Sequence, residues 1–510
     1  MIFKPRKKPN GFAKTNEISK EINFELIRLK LDEANACRKN GDFRKAIELY
    51  EEIVNKKIKN VEALYNLGLI YKELNHFEKS LQFFLKTINL EPKNINSYLM
   101  LGNLYCQLKN FDKGILFYEK GLDLNEENEF ILNGLGNAYH NKQDFKKAIE
   151  IFRKALKINP NNAGILNNLA NSYHATFQFE KAILNYYSAI NIQPNINQYH
   201  TNLSQSLFHS NNYSDGWKEY EYRKKYDDRY KNKIWEGQSL KPGERLLIHA
   251  EEGLGDTIQF IRYAIYLKDL GMDFKICVQN KLRTLILETN LKENLLENED
   301  YRIYEFDLYI GLISLPRILK VSQNNVIKKD KYLFTKNKIK EKWKKKFKNE
   351  RTPVIGINWQ GNPQAETLSN FGRSLPLEEF SAISKLFQIK FISLQKGFGS
   401  EQLEECSFKK SFVDFQEEFN PINDFLECAA VIENCDLVIT TDTCVAHLSG
   451  ALNKKTWLIL KKLPDWRWGI NGDKTFWYDS IRILRQHEDF NWENVFEEIK
   501  LLILNDTDLN

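Results

Sequence analysis

The sequence predicts two kinds of fold in one chain: an α-helical solenoid at the N-terminal side, then α/β domains built on parallel sheets. Three observations carry this. From about residue 27 to 230 one pattern returns every 34 residues: Leu67-Gly68, Leu101-Gly102 and Leu135-Gly136 keep the spacing, and Leu169-Ala170 and Leu203-Ser204 continue it. Tyr71, Tyr105, Tyr139 and Tyr173 stand four residues after the first four of these leucines. Past residue 240 short apolar runs alternate with amphipathic helical stretches, the mark of parallel strands joined by crossover helices. A chain of 510 residues also has room for about three domains, so two can follow the repeats.

Six repeat units start near Ile27, Val61, Ile95, Glu129, Ala163 and Asn197. Each has a turn near its middle, such as Asn40-Gly41-Asp42-Phe43. Gly68, Gly102, Gly136 and Ala170 let two helices approach, while Tyr50, Phe84, Tyr118, Phe152 and Tyr186 fill the space to the neighbour. Ala148 and Ala182, with Pro92, Pro160 and Pro194, complete a unit that resembles the tetratricopeptide repeat, a helix-turn-helix element of this period. One such hairpin cannot bury its apolar face alone, so the units must stack. The sixth decays into a run of bulky aromatics (Trp217, Tyr220, Tyr222), expected to dock the array on the next domain of the chain.

Residues 1–26 are polar and basic, without the apolar core of a signal peptide. They read as a flexible leader, or as a tail touching an anionic membrane surface. No run of about 18 apolar residues marks a transmembrane helix. The net charge of +6 gives no sign of nucleic-acid binding. Seven cysteines with no C-x-x-C pair fit reduced thiols in a cytoplasmic protein rather than a zinc site.

Two α/β domains are expected, over residues 240–335 and 352–505. Strands are predicted at 245–250, 274–279, 354–359, 391–395, 437–441, 456–460 and 481–485. Helices are predicted at 257–270, 281–289, 377–386, 422–433, 442–451 and 492–504. The lysine-rich stretch 336–351 reads as a solvated helix joining the domains, or as a contact for an anionic surface. Ligands of such sheets lie at the carboxyl ends of the strands.

Three loops occupy those ends. In the first, Gly253 and Gly255 let the backbone approach an anion, and Asp256 is either a helix-capping carboxylate or a general base aimed into the cleft. A dinucleotide fingerprint would need a third glycine where Ile258 stands. The second loop holds Trp359, Gly361 and Asn362, followed by Arg373, whose planar fork suits a diphosphate but which could equally be a surface side chain. The third, Thr440 to His447, ends a strand and starts a helix on small residues. Asp442 there could cap the helix, and His447 could be buried or touch phosphate.

On the stretches HAEEGLGDTIQFIRY, INWQGNP, RSLPLEEF, FISLQKG, DFLECAAVIENCDLVITTDTCVAHLSGAL and LPDWRWG, the second half resembles the ADP-heptose:lipopolysaccharide heptosyltransferase family, here behind tetratricopeptide repeats. The layout is also similar to that of O-linked N-acetylglucosamine transferases. The resemblance implies a GT-B fold of two Rossmann-like domains and inverting, metal-independent transfer from a nucleotide-sugar, with no cofactor. It assigns the base to Asp256, in the loop of Gly255, and the donor diphosphate to Asp442, Thr443 and His447. Arg373 or Lys396 would balance donor charge. Cys444 stands where that family usually has glycine, which sets the phosphate further from the backbone.

The acceptor would be a protein or surface glycan. Asn66, Asn168 and Asn202 recur at one helical position, and Asn103, Asn137 and Asn171 three residues on, toward the inner face of the repeats. Side-chain amides there could bind an extended peptide backbone or simply make a solvated face. The alternative to an enzyme is an interaction scaffold whose second half is inactive or only binds a nucleotide.

Overall fold

A computed structural model describes residues 11–55, 60–223, 230, 232–327, 330–366, 372–385, 388–488, 491–506 and 509, with side chains from Glu25 onward. The chain forms two compact units, Met1–Thr176 and Phe177–Asn510. The first ten residues of the expected leader, 1–26, lie outside the described residues, and the rest of it, from Gly11, forms the start of a helix rather than a flexible tail.

The first unit is a stack of antiparallel helix pairs: α1 (Gly11–Lys39) and α2 (Phe43–Asn55), α3 (Val61–Glu73) and α4 (Phe77–Leu90), α5 (Ile95–Gln107) and α6 (Phe111–Leu122), α7 (Glu129–Asn141) and α8 (Phe145–Ile158), then α9 (Ala163–Ala175). The local sequence explains where these helices begin and turn. Asn60, Asn94, Asn128 and Asn162, spaced by the repeat, each accept a hydrogen bond from a first-turn backbone N–H, as in Ala63 N to Asn60 Oδ1 at 2.8 Å. Between the paired helices Gly41, Asn75, Lys109 and Gln143 take positive φ, again 34 residues apart. Only the first is glycine; asparagine tolerates this conformation, whereas Lys109 and Gln143 hold it against their ordinary preference. Inside, a Cβ at Gly68 would lie 2.8 Å from the Phe84 ring, and one at Gly136 would lie 2.5 Å from Phe152. The large residue of the second helix therefore needs the glycine of the first.

The second unit opens with helices of the same design, α10 (Phe179–Ile192), α11 (Asn197–His209) and α12 (Tyr213–Tyr220). Phe177 and Asn211 continue the positive-φ series. Ile196 falls where the capping asparagine should be and makes no side-chain cap. The decay of the sixth repeat thus has a physical form.

Two fully parallel sheets follow. The first has order β2-β1-β3, from β1 (Leu246–His249), β2 (Lys275–Cys277) and β3 (Leu308–Gly311). Helices α13 (Leu254–Asp269), α14 (Asn280–Ile286) and α15 (Leu315–Ile318) accompany it, and α16 (Asn337–Phe347) leads onward. The second has order β5-β4-β6-β7-β8, from β4 (Val354–Asn358), β5 (Lys390–Ser393), β6 (Leu437–Thr441), β7 (Thr456–Leu460) and β8 (Ile481–Arg485). Its helices are α17 (Ser381–Ser384), α18 (Gln402–Glu405), α19 (Gln416–Phe419), α20 (Phe425–Asn434), α21 (Cys444–Ala451) and α22 (Glu493–Asn505). In each sheet the first strand sits between the second and the third, so the strand order reverses beside β1 and beside β4. Those reversals are where a doubly wound sheet opens a crevice.

Three expectations change. Strand β3 lies in a stretch for which no strand was predicted. The helix expected at 377–386 is a 3-10 turn, Leu377–Phe380, followed by the single turn α17. The lysine-rich α16 is docked rather than merely solvated: Trp343 is buried with its indole N–H on Glu427, Lys342 reaches Glu427 at 3.0 Å, and Lys340 reaches Glu433 at 3.4 Å, both on α20. Among the described residues no helix is long and apolar enough to cross a membrane.

Candidate functional site

The carboxyl ends of the two sheets meet through the first turns of α13 and α21. Gly255 makes this possible: a Cβ there would lie 3.1 Å from the His447 ring and 3.4 Å from the Cys444 Cα. The first turns of two helices, each the positive end of a helix dipole, therefore lie against one another. The N-cap of α21 is Thr443, whose Oγ1 accepts from Val445 N at 3.3 Å, so Asp442 is not the cap.

Asp256, at the third position of α13, accepts Gly253 N on Oδ2 at 3.0 Å and Arg467 Nη2 on Oδ1 at 2.6 Å. It is a capping carboxylate in an ion pair, still partly open to solvent. Arg467 also donates to Asp465 Oδ1 at 2.9 Å and to Gln259 Oε1 at 2.9 Å, with its guanidinium 4.6 Å from the Trp466 ring centre. Burial works against its charge, but Asp465 and Asp256 outweigh that and hold Arg467 well above the ordinary arginine range. Burial likewise opposes the Asp465 carboxylate, and Arg467 overcomes it, leaving Asp465 below its ordinary value.

Asp442 goes the other way. Burial, and then repulsion from Asp465, raise it to about 6, against the opposing pull of the Trp468 indole, Arg373 and Arg467. A carboxyl raised above its unfolded value of 3.8 binds its proton more tightly in the folded state. Stability is therefore lost as pH rises from about 4 to 6 and stays lower above that. Asp442→Asn should raise the melting temperature at pH 7.5, by the equivalent of about 1–3 kcal/mol, with the gain vanishing near pH 4. Equal melting curves at both pH values would refute this.

His447 is buried, with Nδ1 3.0 Å from the Tyr478 hydroxyl and its ring stacked on Trp468. Burial, then the charges of Arg467 and Arg262, push it down to about 3, so it is neutral at neutral pH. Arg373 lies against Gly361, where a Cβ would sit 2.7 Å from Nη2, and pairs with Glu366 at 3.4 Å. Lys396 donates to the backbone oxygens of Phe419 and Asn420 at 2.6 and 3.2 Å, and burial lowers it to about 8. Asn362 begins a 3-10 turn by accepting Gln364 N at 2.9 Å. Trp359, expected to line the cleft, is buried instead in the core behind it with Ile355, Ile357 and Leu375.

Sequence reasoning missed the centre of this network. Arg467 and Asp465 lie in a stretch singled out only for its resemblance, and Asn358 and Gln395 were passed over. Gln395 Oε1 accepts Asn358 Nδ2 at 2.7 Å, while Asn358 Oδ1 accepts Thr443 Oγ1 at 2.7 Å. The ends of β5, β4 and β6 are tied together by these side chains.

The last repeat packs on this site. Phe208 of α11 stacks on Trp466 with ring centres 4.1 Å apart, Trp217 and Tyr220 of α12 meet Trp466 edge-on, and Trp217 Nε1 donates to Val321 O at 2.8 Å. The expected aromatic docking is present. Four of the six asparagines expected on the inner face are drawn into the repeats' own bonding. Asn66 is buried and donates to Asn35 Oδ1 at 2.9 Å; Asn103 accepts the Tyr118 hydroxyl at 2.6 Å; Asn168 donates to Asn133 at 3.1 Å. Asn137 and Asn171 are half-buried. In the second unit, Asn202 accepts Gln198 Nε2 at 2.7 Å.

Comparison with known proteins assigns the repeats. The tetratricopeptide repeat model matches residues 61–94, 95–128 and 163–196, and a second TPR repeat model matches 136–176. The N-terminal region is thus an array of tetratricopeptide repeats. Among solved structures the chain is similar to the MamA protein (22% identity, TM-score 0.32, covering 34% of this chain and 96% of that one). It is also similar to YrrB, described as a TPR protein with an unusual peptide-binding site (20%, TM-score 0.31, 33% and 88%). A third is MamA from Desulfovibrio magneticus RS-1 (17%, TM-score 0.32, 33% and 96%). A search of curated proteins found no match.

Proposed function

We propose that the protein is a glycosyltransferase of GT-B architecture that moves a sugar from a nucleotide-sugar to a protein or surface-glycan acceptor held by its repeats. The observation that carries this reading is the meeting of two helix N-termini at Gly255 and Cys444, beside Arg467, Arg373 and Asp256. Such a place suits an anion that gains charge during reaction. In a direct displacement an acceptor hydroxyl attacks the anomeric carbon, Asp256 takes the hydroxyl proton, and the bond from that carbon to the diphosphate oxygen breaks. Helix N–H groups and arginine side chains meet the charge left on the departing nucleoside diphosphate. Tetratricopeptide arrays are protein-interaction scaffolds, which supports the acceptor half of the reading.

One observation favours the second reading, a scaffold that binds a nucleotide without reacting: both Asp256 oxygens already accept hydrogen bonds. Thermal-shift titration with nucleotide-sugars and nucleoside diphosphates tests the first step common to both. At a ligand concentration of 100 times Kd, binding to the folded state adds about 2.7 kcal/mol, a rise of several degrees. Arg373→Ala should remove most of that rise. A well-folded protein that shifts with none of these ligands would exclude both the transferase and the nucleotide-binding scaffold. Sugar transfer observed with any donor separates the two.

A further inference from the structure

The loop after β5 carries a residue that the fold itself does not use. Phe398 is 51% exposed, although it sits in a loop whose backbone is closely held. Gly397 and Gly399 on either side have φ of +71° and +85°. The carbonyl of Phe398 accepts Gln395 Nε2 at 2.6 Å, and that same nitrogen donates to Gln360 O at 2.8 Å. Ser400 N closes the turn on Gly397 O at 3.0 Å, and a Cβ at Gly399 would lie 2.6 Å from Gln360 Oε1. The loop is thus seated on the loop after β4, where Gly361 and Arg373 lie. Two left-handed glycines turn the chain so that one phenyl ring stands out from a fixed base. Leaving such a ring in water forgoes part of the stabilisation that burying it would give.

Its position says what it is suited to meet. Along the carboxyl edge of the second sheet, β6 ends at Thr441 just before α21, β4 ends at Asn358 and is followed by the loop of Gly361 and Arg373, and β5 ends at Ser393 and is followed by the loop of Phe398. From the β6 end to the β5 end is two strand spacings, about 10 Å. That is also roughly the reach of a nucleoside diphosphate from its terminal phosphate to its base. In a doubly wound sheet the phosphates lie at the end of the first strand and the nucleoside extends toward the end of the second, and β4 and β5 are those strands.

Building on the transferase reading, we propose that Phe398 is the platform on which the base of a bound nucleoside diphosphate stacks, with the diphosphate beside Arg373 and the start of α21. The ligand class is a nucleoside diphosphate recognised by the π-face of its base, so the platform accepts any base and contributes affinity rather than base identity.

Calorimetric titration of the full-length protein and its Phe398→Ala and Phe398→Trp variants with ADP, GDP, UDP and inorganic pyrophosphate tests this. Wild type should bind at least one nucleoside diphosphate more tightly than pyrophosphate. Phe398→Ala should weaken that nucleoside diphosphate about 10-fold or more, leave pyrophosphate unchanged and leave the melting temperature unchanged, while Phe398→Trp keeps the affinity. Undiminished nucleoside diphosphate binding by Phe398→Ala would overturn the platform and leave the anion cleft standing. So would equal wild-type affinity for pyrophosphate and the nucleoside diphosphates. Wild type that binds none of the four ligands would overturn the transferase reading, and the platform with it.

Discussion

Arg467→Met is expected to lower the melting temperature by on the order of 5–10 °C, corresponding to about 3 kcal/mol. Arg467 is the shared cation of Asp256 and Asp465, and methionine keeps the side-chain bulk while leaving two carboxylates without it. Because both carboxylates retain some contact with solvent, the cost belongs at the low end of what breaking a buried pair involves. The pH dependence gives a second check. Asp465 is held below its unfolded value of 3.8, so the stability it gains from Arg467 is present above about pH 4 and lost as pH falls through the lowered value. The gap between wild type and variant should therefore be full at neutral pH and shrink on acidification. Adding Asp256→Asn and Asp465→Asn to the variant should restore most of the loss, since the orphaned charges go too. A melting temperature within about 1 °C of wild type would show that the three groups are not coupled as their distances imply.

The largest kinetic effect is expected at Asp256. Under the transferase reading, Asp256→Asn should cut turnover by about 10²- to 10⁴-fold, the usual range for removing a general base. Asparagine keeps an oxygen for the Gly253 N–H, so the cap on α13 and the fold should survive. Donor affinity should change far less than turnover, because Arg373 is untouched and Arg467, relieved of one carboxylate, is still held by Asp465. The loss should therefore appear in kcat rather than KM. Turnover within a few-fold of wild type would make Asp256 a structural cap and move the search for a base elsewhere in the cleft.

Much of this architecture was legible because its signals are local. Helices starting at Val61, Ile95, Glu129, Ala163 and Asn197 follow directly from the 34-residue spacing, and the strands Leu437–Thr441, Thr456–Leu460 and Ile481–Arg485 have the expected bounds. Each apolar run there lies between turn residues, so sequence and strand coincide. Strand Leu308–Gly311 was not legible. It runs straight into the apolar Leu312–Ser314 turn, and what makes it a strand is its pairing with β1, more than fifty residues earlier. The site divides in the same way. Gly255, Asp256 and Thr443 announce themselves at strand-to-helix turns. Arg467 does not, because an arginine between two tryptophans carries no local sign of a partner 211 residues away. Asp442 and Thr443 are neighbours of similar capping preference, and only the backbone geometry gives the cap to Thr443.

The aromatic seam between the last repeat and the loop of Arg467 limits how freely the array can be edited. Repeats in the first unit are interchangeable parts in principle, since each rests on neighbours of its own kind and whole 34-residue units can be inserted or deleted. The segment with Phe208, Trp217 and Tyr220 has no such freedom. Its side chains help to fill the core around Trp466, so it belongs to the α/β body in every respect except its ancestry as a repeat. A graft that attached these repeats to another protein would have to leave that segment behind, and a shortened version of this protein would have to keep it.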